Sequence, residues 1–226
     1  MTEEIIRKHT SLTYPIEKKI LDQLASKIYK YFTADSLSFL GLVGAILIGI
    51  SYYLGGENLS YLLIALLGIF INWFGDSLDG RVAYLRNEGR PKRGHYLDHF
   101  IDDLSFMAIG LGIHFSKLTI QPIWLYVLIF VMLTSVHVYL KTSVTKLFDL
   151  DMGLFGGTER RIIFIFLTLI VLVLNNPLYY QKTVQYYTFL DLTGIITLVL
   201  VIIFLAINVF RTLWGKDKIK EASITK

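Results

Sequence analysis

The chain has 226 residues, 54% of them hydrophobic, and a positive mean hydropathy of +0.56, which predicts an integral membrane protein and excludes an ordinary soluble domain. It contains no cysteine, so disulfides, iron–sulfur clusters and thiolate zinc sites are excluded. The net charge of +4 is modest, and we expect no nucleic-acid partner.

Residues 1–34 are polar and basic, and we expect them to form a cytosolic or interfacial segment rather than a cleaved targeting peptide. Residues 14–32 carry apolar side chains at a strict four-residue spacing, with the lysines mostly off that stripe. The stripe consists of Ile16, Ile20, Leu24 and Ile28. This pattern predicts an N-terminal amphipathic helix that rests in the headgroup region. A helix packed on the cytosolic face of the protein itself is an alternative that the pattern leaves open.

Six apolar segments predict six transmembrane helices within a membrane domain of residues 35–215, followed by a basic cytosolic tail of residues 216–226. Asp35 or Ser36 is expected to cap the first of them. Their approximate bounds are 36–54, 61–79, 94–116, 122–144, 161–174 and 189–214. The predicted fold class is therefore an all-α integral membrane protein with six transmembrane helices and an N-terminal interfacial helix.

The distribution of basic residues predicts the orientation. An even number of spans places both termini on one side of the membrane. Of the 22 lysines and arginines, all but Lys117 and Lys182 fall on that side. Because basic residues are retained in the cytoplasm, we expect a cell-membrane protein with both termini cytoplasmic.

The stretch from Asp76 to Asp102 is the most polar part of the membrane domain, with four aspartates. At about 100° per residue, Asp76 and Asp79 lie on one face of a helix. Asp98 and Asp102 are four residues apart and lie one turn apart on the next helix. Four anions at the membrane edge require cations, and hard divalent metals suit a set of oxygen ligands. The sequence therefore predicts a cytoplasmic metal site.

Small residues accompany these aspartates. Gly80 and Ala83 lie on the carboxylate face, where a flat base or a pyrophosphate could approach the backbone closely. Gly94 opens the next helix one turn before Asp98, and helix starts favour phosphate. The combination suggests transfer of a substituted phosphate, with two metals clamping the attacking and leaving oxygens.

The spacing of these residues resembles the signature of the CDP-alcohol phosphotransferases, also called CDP-alcohol phosphatidyltransferases. That signature reads D-x-x-D-G-x-x-A-R, eight further residues, and then G-x-x-x-D-x-x-x-D. Here it runs from Asp76 through Gly80 and Ala83 to Gly94 and Asp102. The stretch FTADSLSFLGL, residues 32–42, is similar to the TPN-x-L-T entry into the family's first helix. Two features depart from the signature: Tyr84 replaces its arginine, and the spacer has nine residues.

The resemblance implies an enzyme of phospholipid biosynthesis. Such an enzyme transfers a substituted phosphate from a CDP-alcohol, such as CDP-diacylglycerol, CDP-choline or CDP-ethanolamine, to an acceptor hydroxyl and releases CMP. It implies two Mg²⁺ or Mn²⁺ ions held by the four aspartates, with Asp102 as the catalytic base. It also implies nucleotide binding around Gly80, Ala83 and Gly94, and a homodimer in the lipid bilayer.

The replacement of the motif arginine suggests a substitute. On the helix wheel, Tyr84 falls on the Gly80 flank, whereas Arg86 lies at about −80° from Asp76, near the Asp79 flank. A guanidinium at that place could reach the diphosphate from the opposite side. We therefore predict that Arg86 contacts the nucleotide phosphates.

The acceptor site is predicted from weaker features. His99 follows a metal-site aspartate in the order D-H-x-x-D, which is common in the choline and ethanolamine branch. Residues 157–161, GTERR, are faintly similar to a T-E segment of that branch, which suggests Glu159. His137 and Lys141 lie one turn apart on the fourth span and are candidates for the pocket wall. Surface contacts are the alternative for these residues.

Two other functions fit the same residues. A divalent-cation carrier or channel would use the aspartates for binding without chemistry. A family member that has lost catalysis would fit the substitution at Tyr84. Arg160 and Arg161, at the membrane edge, are expected to be headgroup anchors more than phosphate ligands.

Overall fold

The computed structural model describes residues 14–88, 91–145, 157–173, 180–182 and 185–215, which form seven helices and one short hairpin. The helices are α1 (Tyr14–Ile28), α2 (Ala34–Gly55), α3 (Tyr61–Leu85), α4 (Pro91–His114), α5 (Ile123–Thr145), α6 (Gly157–Val173) and α7 (Phe189–Leu213). Strands β1 (Tyr180–Lys182) and β2 (Gln185–Tyr187) pair antiparallel between α6 and α7. The fold is all-α, as predicted, apart from this hairpin.

Four of these helices are long and apolar enough to cross a membrane: α2, α3, α7 and Ile123–Val144 of α5. The chain is therefore a multi-pass membrane protein. Helices also lie at the two other predicted spans, but α4 carries five charged side chains and α6 has 17 residues, fewer than the roughly 20 that span a bilayer. Six spans stay a prediction. So does the division at residues 34 and 215, because residues 1–13 and 216–226 lie outside the described part.

Helix α2 begins at a reciprocal cap. The hydroxyl of Thr33 accepts a hydrogen bond from the Ser36 backbone nitrogen at 3.2 Å, and the Ser36 hydroxyl accepts one from the Thr33 nitrogen at 3.0 Å. Thr33 is thus the N-cap, instead of Asp35 or Ser36 as expected. The cap satisfies backbone donors that the first turn leaves free and fixes where the helix starts.

The predicted N-terminal helix is present as α1, and it packs on the membrane domain. Leu21 and Ala25 are fully buried beside Leu37 of α2 and Leu78 of α3. Of the predicted stripe, Leu24 and Ile28 pack partly buried against this cluster, whereas Ile20 is 48% exposed. A position in the headgroup region stays a prediction. A strict four-residue spacing advances by about 40° per repeat, so the four side chains spread over about 120° and cannot all face one neighbour.

Glycines allow α2 to contact both α3 and α4 at backbone distance. A Cβ on Gly75 of α3 would lie 2.4 Å from the backbone nitrogen of Gly41. A Cβ on Gly112 of α4 would lie 2.2 Å from the carbonyl oxygen of Gly49. Small residues at such crossings are typical of membrane helix packing. Helix α2 therefore holds α3 and α4 close together, and their aspartates face one another.

At the opposite end of the bundle, two acidic side chains form contacts between neighbouring segments. Asp191 is fully buried, and its carboxylate accepts hydrogen bonds from the backbone nitrogens of Thr188 at 2.9 Å, Ile120 at 3.2 Å and Gln121 at 3.3 Å. This joins the start of α7 to the loop before α5. Lys117, after α4, pairs with Glu57, after α2, at 2.5 Å. That hydrogen bond and the carboxylate charge raise the pKa of Lys117, although the pair is exposed.

Candidate active site

Three aspartates from two helices converge at the end of the bundle where α1 packs. One carboxylate oxygen from each of Asp76, Asp98 and Asp102 lies within 4.8 Å of the other two. Asp76 comes from the last turns of α3, and the other two lie one turn apart on α4. A cavity of about 10 Å³, room for one water-sized sphere, lies among them. The structure thus brings three of the four predicted metal ligands together.

The fourth aspartate, Asp79, lines the same cavity but is held by α2, outside the group of three. The hydroxyl of Ser38 donates to its Oδ2 at 2.7 Å, and the Gly80 backbone nitrogen donates to its Oδ1 at 2.5 Å. Asp79 and Asp98 both border a second, larger cleft. Asp79 therefore stands between the cavity and the cleft.

Arg161, at the start of α6, reaches into this acidic group. Its Nη2 donates to Asp76 Oδ2 at 2.7 Å, and its Nε donates to Asn72 Oδ1 at 2.9 Å. Asn72 in turn donates through Nδ2 to the Gly41 carbonyl at 2.9 Å. The expectation that Arg161 is a headgroup anchor is wrong, because its guanidinium donates hydrogen bonds to Asp76 and Asn72 within the protein. The sequence gives only one signal for this: an arginine opening an apolar segment at the aspartate end.

The charges at the site do not balance. Asp102 lies in the field of Asp76 and Asp98 and of the guanidinium groups of Arg160 and Arg161. With all four carboxyl groups ionised, the aspartates would carry two more charges than the two arginines neutralise. Such an excess at the membrane edge is stabilised by bound cations.

The residues present fit divalent cations. Their donors are all carboxylate oxygens, the ligands that Mg²⁺ and other hard cations prefer. The 4.8 Å spread of the three oxygens is comparable to the roughly 4–5 Å between two oxygens on opposite sides of one such cation. Asp76, Asp98 and Asp102 could hold one ion, and Asp79 borders the same cavity.

A cleft of about 460 Å³ opens beside the aspartates. Three predicted nucleotide contacts, Gly80, Ala83 and Gly94, line it. A Cβ on Gly80 or Gly94 would meet no atom within 4 Å, so both glycines border open space. The volume lies within the range of small-molecule sites, about 300–1,000 Å³. The predicted metal and nucleotide residues therefore line adjoining cavities.

The two candidates for a phosphate contact near the end of α3 differ in position. Tyr84, at the motif arginine position, lines the cleft and is 83% exposed. Arg86 does not line it. Its Nη1 donates to the Tyr29 carbonyl at 2.8 Å and its Nε donates to Glu88 at 2.5 Å, which ties α3 to the end of α1. A phosphate contact by Arg86 stays a prediction that requires the side chain to leave both partners.

The predicted acceptor residues lie outside both cavities. Nε2 of His99 lies 3.0 Å from Nδ1 of His95, which does line the cleft. Glu159 and Lys141 are buried, and the buried Nε2 of His137 has no hydrogen-bond partner among the described residues. None of the four predicted residues lines either cavity in the described part of the chain. Their acceptor roles stay predictions.

Asp103, next to the site residue Asp102, connects α4 to α5. Its carboxylate accepts hydrogen bonds from the Ser135 hydroxyl at 2.7 Å and the Tyr139 hydroxyl at 2.9 Å. Both partners lie on α5. These hydrogen bonds join α4 to α5 next to Asp102.

The sequence matches the CDP-alcohol phosphatidyltransferase family over residues 31–214, a range that includes every residue lining the two cavities. The chain belongs to that family. The family consists of transferases, and membership makes this chain an enzyme of phospholipid headgroup transfer.

The fold of this CDP-alcohol phosphatidyltransferase is similar to that of Mycobacterium tuberculosis phosphatidylinositol phosphate synthase in its apo form. The TM-score is 0.56 at 16% sequence identity, and the likeness covers 92% of this chain and 99% of that chain. At this identity the likeness concerns the fold alone. Among curated protein sequences, none matches this chain.

Proposed function

We propose that this enzyme transfers a substituted phosphate from a CDP-alcohol to an acceptor hydroxyl and releases CMP, with Mg²⁺ or Mn²⁺ bound by the aspartates. The observation that carries this proposal is that three clustered carboxylates lie next to a glycine-lined cleft large enough for a nucleotide. The donor is a molecule such as CDP-diacylglycerol or CDP-choline.

The residues divide the work between the two cavities. The cleft at Gly80, Ala83 and Gly94 accommodates the nucleotide, because these small residues leave room for it beside the backbone. Two divalent cations, when bound by Asp76, Asp79, Asp98 and Asp102, would neutralise the carboxylates and polarise the diphosphate oxygens. Arg161 holds Asp76 in place from α6.

Asp102 acts as the general base. It takes the proton from the acceptor hydroxyl as that oxygen forms a bond to the phosphorus bearing the alcohol. The bond from that phosphorus to CMP breaks, and CMP leaves with the electron pair. The position of Asp102 next to Asp76 and Asp98 supports this role, since the base must lie beside the reacting phosphate.

The proposed setting is the cell membrane, with the aspartate end facing the cytoplasm. Its support is the basic-residue distribution, which leaves two basic residues of 22 on the other side. A homodimer is proposed from the family resemblance alone.

The experiment is CMP release by the purified full-length chain. CDP-diacylglycerol and CDP-choline are each supplied with a panel of acceptor alcohols, in Mg²⁺ and then in EDTA. Metal-dependent CMP release with one pair supports the proposal, and full activity after exhaustive chelation contradicts it. Asp76→Asn is the matched inactive control. Cation flux in vesicles without CMP release would instead indicate a carrier, and the absence of both would indicate an inactive family member.

A further inference from the structure

The cavity among the aspartates is lined on one side by a serine hydroxyl that has no hydrogen-bond partner among the described residues. Ser105 of α4 lines that cavity together with Asp76, Asp98 and Asp102. The residue is 6% exposed, and its Oγ is a buried polar atom without a hydrogen-bond partner among the described residues. Buried hydroxyls are normally satisfied, because an unpaired one has lost its bond to water without gaining another.

The periodicity of α4 explains why this serine faces the aspartates. Asp98, Ile101, Asp102 and Ser105 are separated by three or four residues and form one stripe. Ser105 lies about 20° from Asp98 around the helix and about 10 Å farther along it. It is therefore at the inner end of the stripe, beyond Asp102.

The other polar side chains on the walls are already engaged. The Ser38 hydroxyl donates to Asp79 at 2.7 Å, and Asn72 both donates to the Gly41 carbonyl and accepts from Arg161. Ser105 differs from them, because it lines the acidic cavity and its buried Oγ has no hydrogen-bond partner among the described residues. A hard cation would bind this hydroxyl oxygen as well as the carboxylate oxygens around it.

We propose that Ser105 is a neutral oxygen ligand of the divalent cation that Asp76 and Asp102 bind, three residues from Asp102 on the same face of α4, which rests on the proposed function. Hard cations take six or more oxygen ligands, and neutral ones complete the shell without adding negative charge. A hydroxyl is suited to this place, because the four aspartates already outnumber the two neighbouring arginines.

Measuring cation binding distinguishes a ligand role of Ser105 from a purely structural role. In Ser105→Ala, the dissociation constant for Mn²⁺, measured from the free-Mn²⁺ signal by electron paramagnetic resonance, should rise at least about tenfold, or about 1.4 kcal/mol. Thermal stability without metal should stay unchanged or rise, since the substitution removes an unsatisfied hydroxyl. Ser51→Ala is the matched control, because Ser51 is a buried serine whose hydroxyl donates to its own helix at 2.6 Å.

A cysteine at the same place gives a second, positive measurement. The chain has no cysteine, so Ser105→Cys introduces its only thiol. Because thiolates prefer soft cations, this variant should gain affinity for Cd²⁺, with Cd–thiolate ultraviolet absorption, and lose affinity for Mn²⁺. Ser51→Cys should show neither change.

The outcomes distinguish this inference from the function on which it rests. If the wild-type chain binds no Mn²⁺, the proposed metal-dependent function fails. If the wild type binds Mn²⁺ but Ser105→Ala binds it equally well and Ser105→Cys shows no Cd–thiolate absorption, only the role of Ser105 is overturned. Equal loss of stability with and without metal in Ser105→Ala would also overturn it, because that result indicates packing.

Discussion

Arg161 of α6 and Asp76 of α3 form an ion pair at 2.7 Å, with their side chains 18% and 28% exposed. The pair brings a positive charge from a distant part of the chain to the aspartate cavity. It also links α6 to α3, since the same guanidinium donates to Asn72. The cavity therefore has a protein counter-ion on one of its carboxylates, and the remaining negative charge is left for cations.

Removal of this counter-ion should destabilise the metal-free protein. Arg161→Gln leaves the Asp76 carboxylate half-buried without its charged partner, and we expect a loss of about 2 kcal/mol in the free energy of unfolding. Saturating Mg²⁺ should reduce the difference, because the cation then neutralises Asp76. The measurement is thermal or denaturant unfolding in EDTA and in Mg²⁺.

Arg81→Gln is the control for this prediction. Arg81 pairs with Asp22 at 3.1 Å, but the side chain of that partner is 54% exposed. Exposed pairs contribute little, so the cost should stay below about 1 kcal/mol and should not depend on Mg²⁺. A metal-independent loss in Arg161→Gln would contradict the role of Arg161 as a counter-ion.

Asp102 and Asp79 should differ in kinetics. Asp102→Asn removes the proposed base, and turnover should fall by about 100-fold or more, with a smaller change in CDP-alcohol affinity. Asp79→Asn should weaken nucleotide binding as well, because Asp79 lies between the metal cavity and the cleft. The measurements are kcat and KM for CMP release, with nucleotide binding measured directly. Near-normal turnover in Asp102→Asn would assign the base to another residue.

The acidic site could be predicted from the sequence because its spacing follows the helix period. Asp98 and Asp102 are four residues apart, so on an α-helix they lie on the same face. Arg161 could not be predicted in this way, since its approach to Asp76 depends on how α6 packs against α3. Ser105 follows the same spacing as the aspartates, but a serine in an apolar segment gives no sign of whether its hydroxyl is satisfied.

The fold shows the same division between local and long-range information. Hydropathy located the helices of the membrane domain, with ends mostly within about four residues, because a long apolar segment has few alternatives in a bilayer. Helix α3 runs to Leu85, six residues beyond the predicted end, because hydropathy does not register its polar last turns. The apolar stripe of α1 did not identify Leu21 and Ala25 as its most buried residues, because their burial depends on how α1 packs against α2 and α3. The β1–β2 hairpin lies between α6 and α7, where the sequence has no strong periodic pattern.

Arg86 offers a direct test of two expectations for one side chain. If it serves as the connection to α1 seen in the structure, Arg86→Ala should lower thermal stability and change KM for the CDP-alcohol by less than about twofold. A rise in KM of tenfold or more would support the phosphate contact that the helix wheel predicts. Tyr84→Arg is the comparator, because it places a guanidinium on the cleft wall and should lower KM.

Asp191 should matter for stability and not for the reaction. Asp191→Ala removes one carboxylate that accepts three backbone hydrogen bonds, and we expect a cost of about 3 kcal/mol in unfolding free energy. Asp191→Asn retains an acceptor oxygen and should cost less. Both variants, assayed below their unfolding temperature, should keep the KM and the Mn²⁺ affinity of the wild type. A change in either constant would show that the two ends of the bundle are coupled.

Cysteine labelling can establish the orientation of the chain. Tyr31, between α1 and α2, is 83% exposed at the aspartate end, and Glu57 follows the other end of α2. The 22 residues of α2 separate these two positions by about 33 Å. In the otherwise cysteine-free chain, Tyr31→Cys should react with an impermeant maleimide only after the cytoplasmic side is opened. Glu57→Cys should react in intact cells, and its loss of the exposed pair with Lys117 should cost little. The reverse pattern would place the aspartates outside the cell and contradict the orientation predicted from the basic residues.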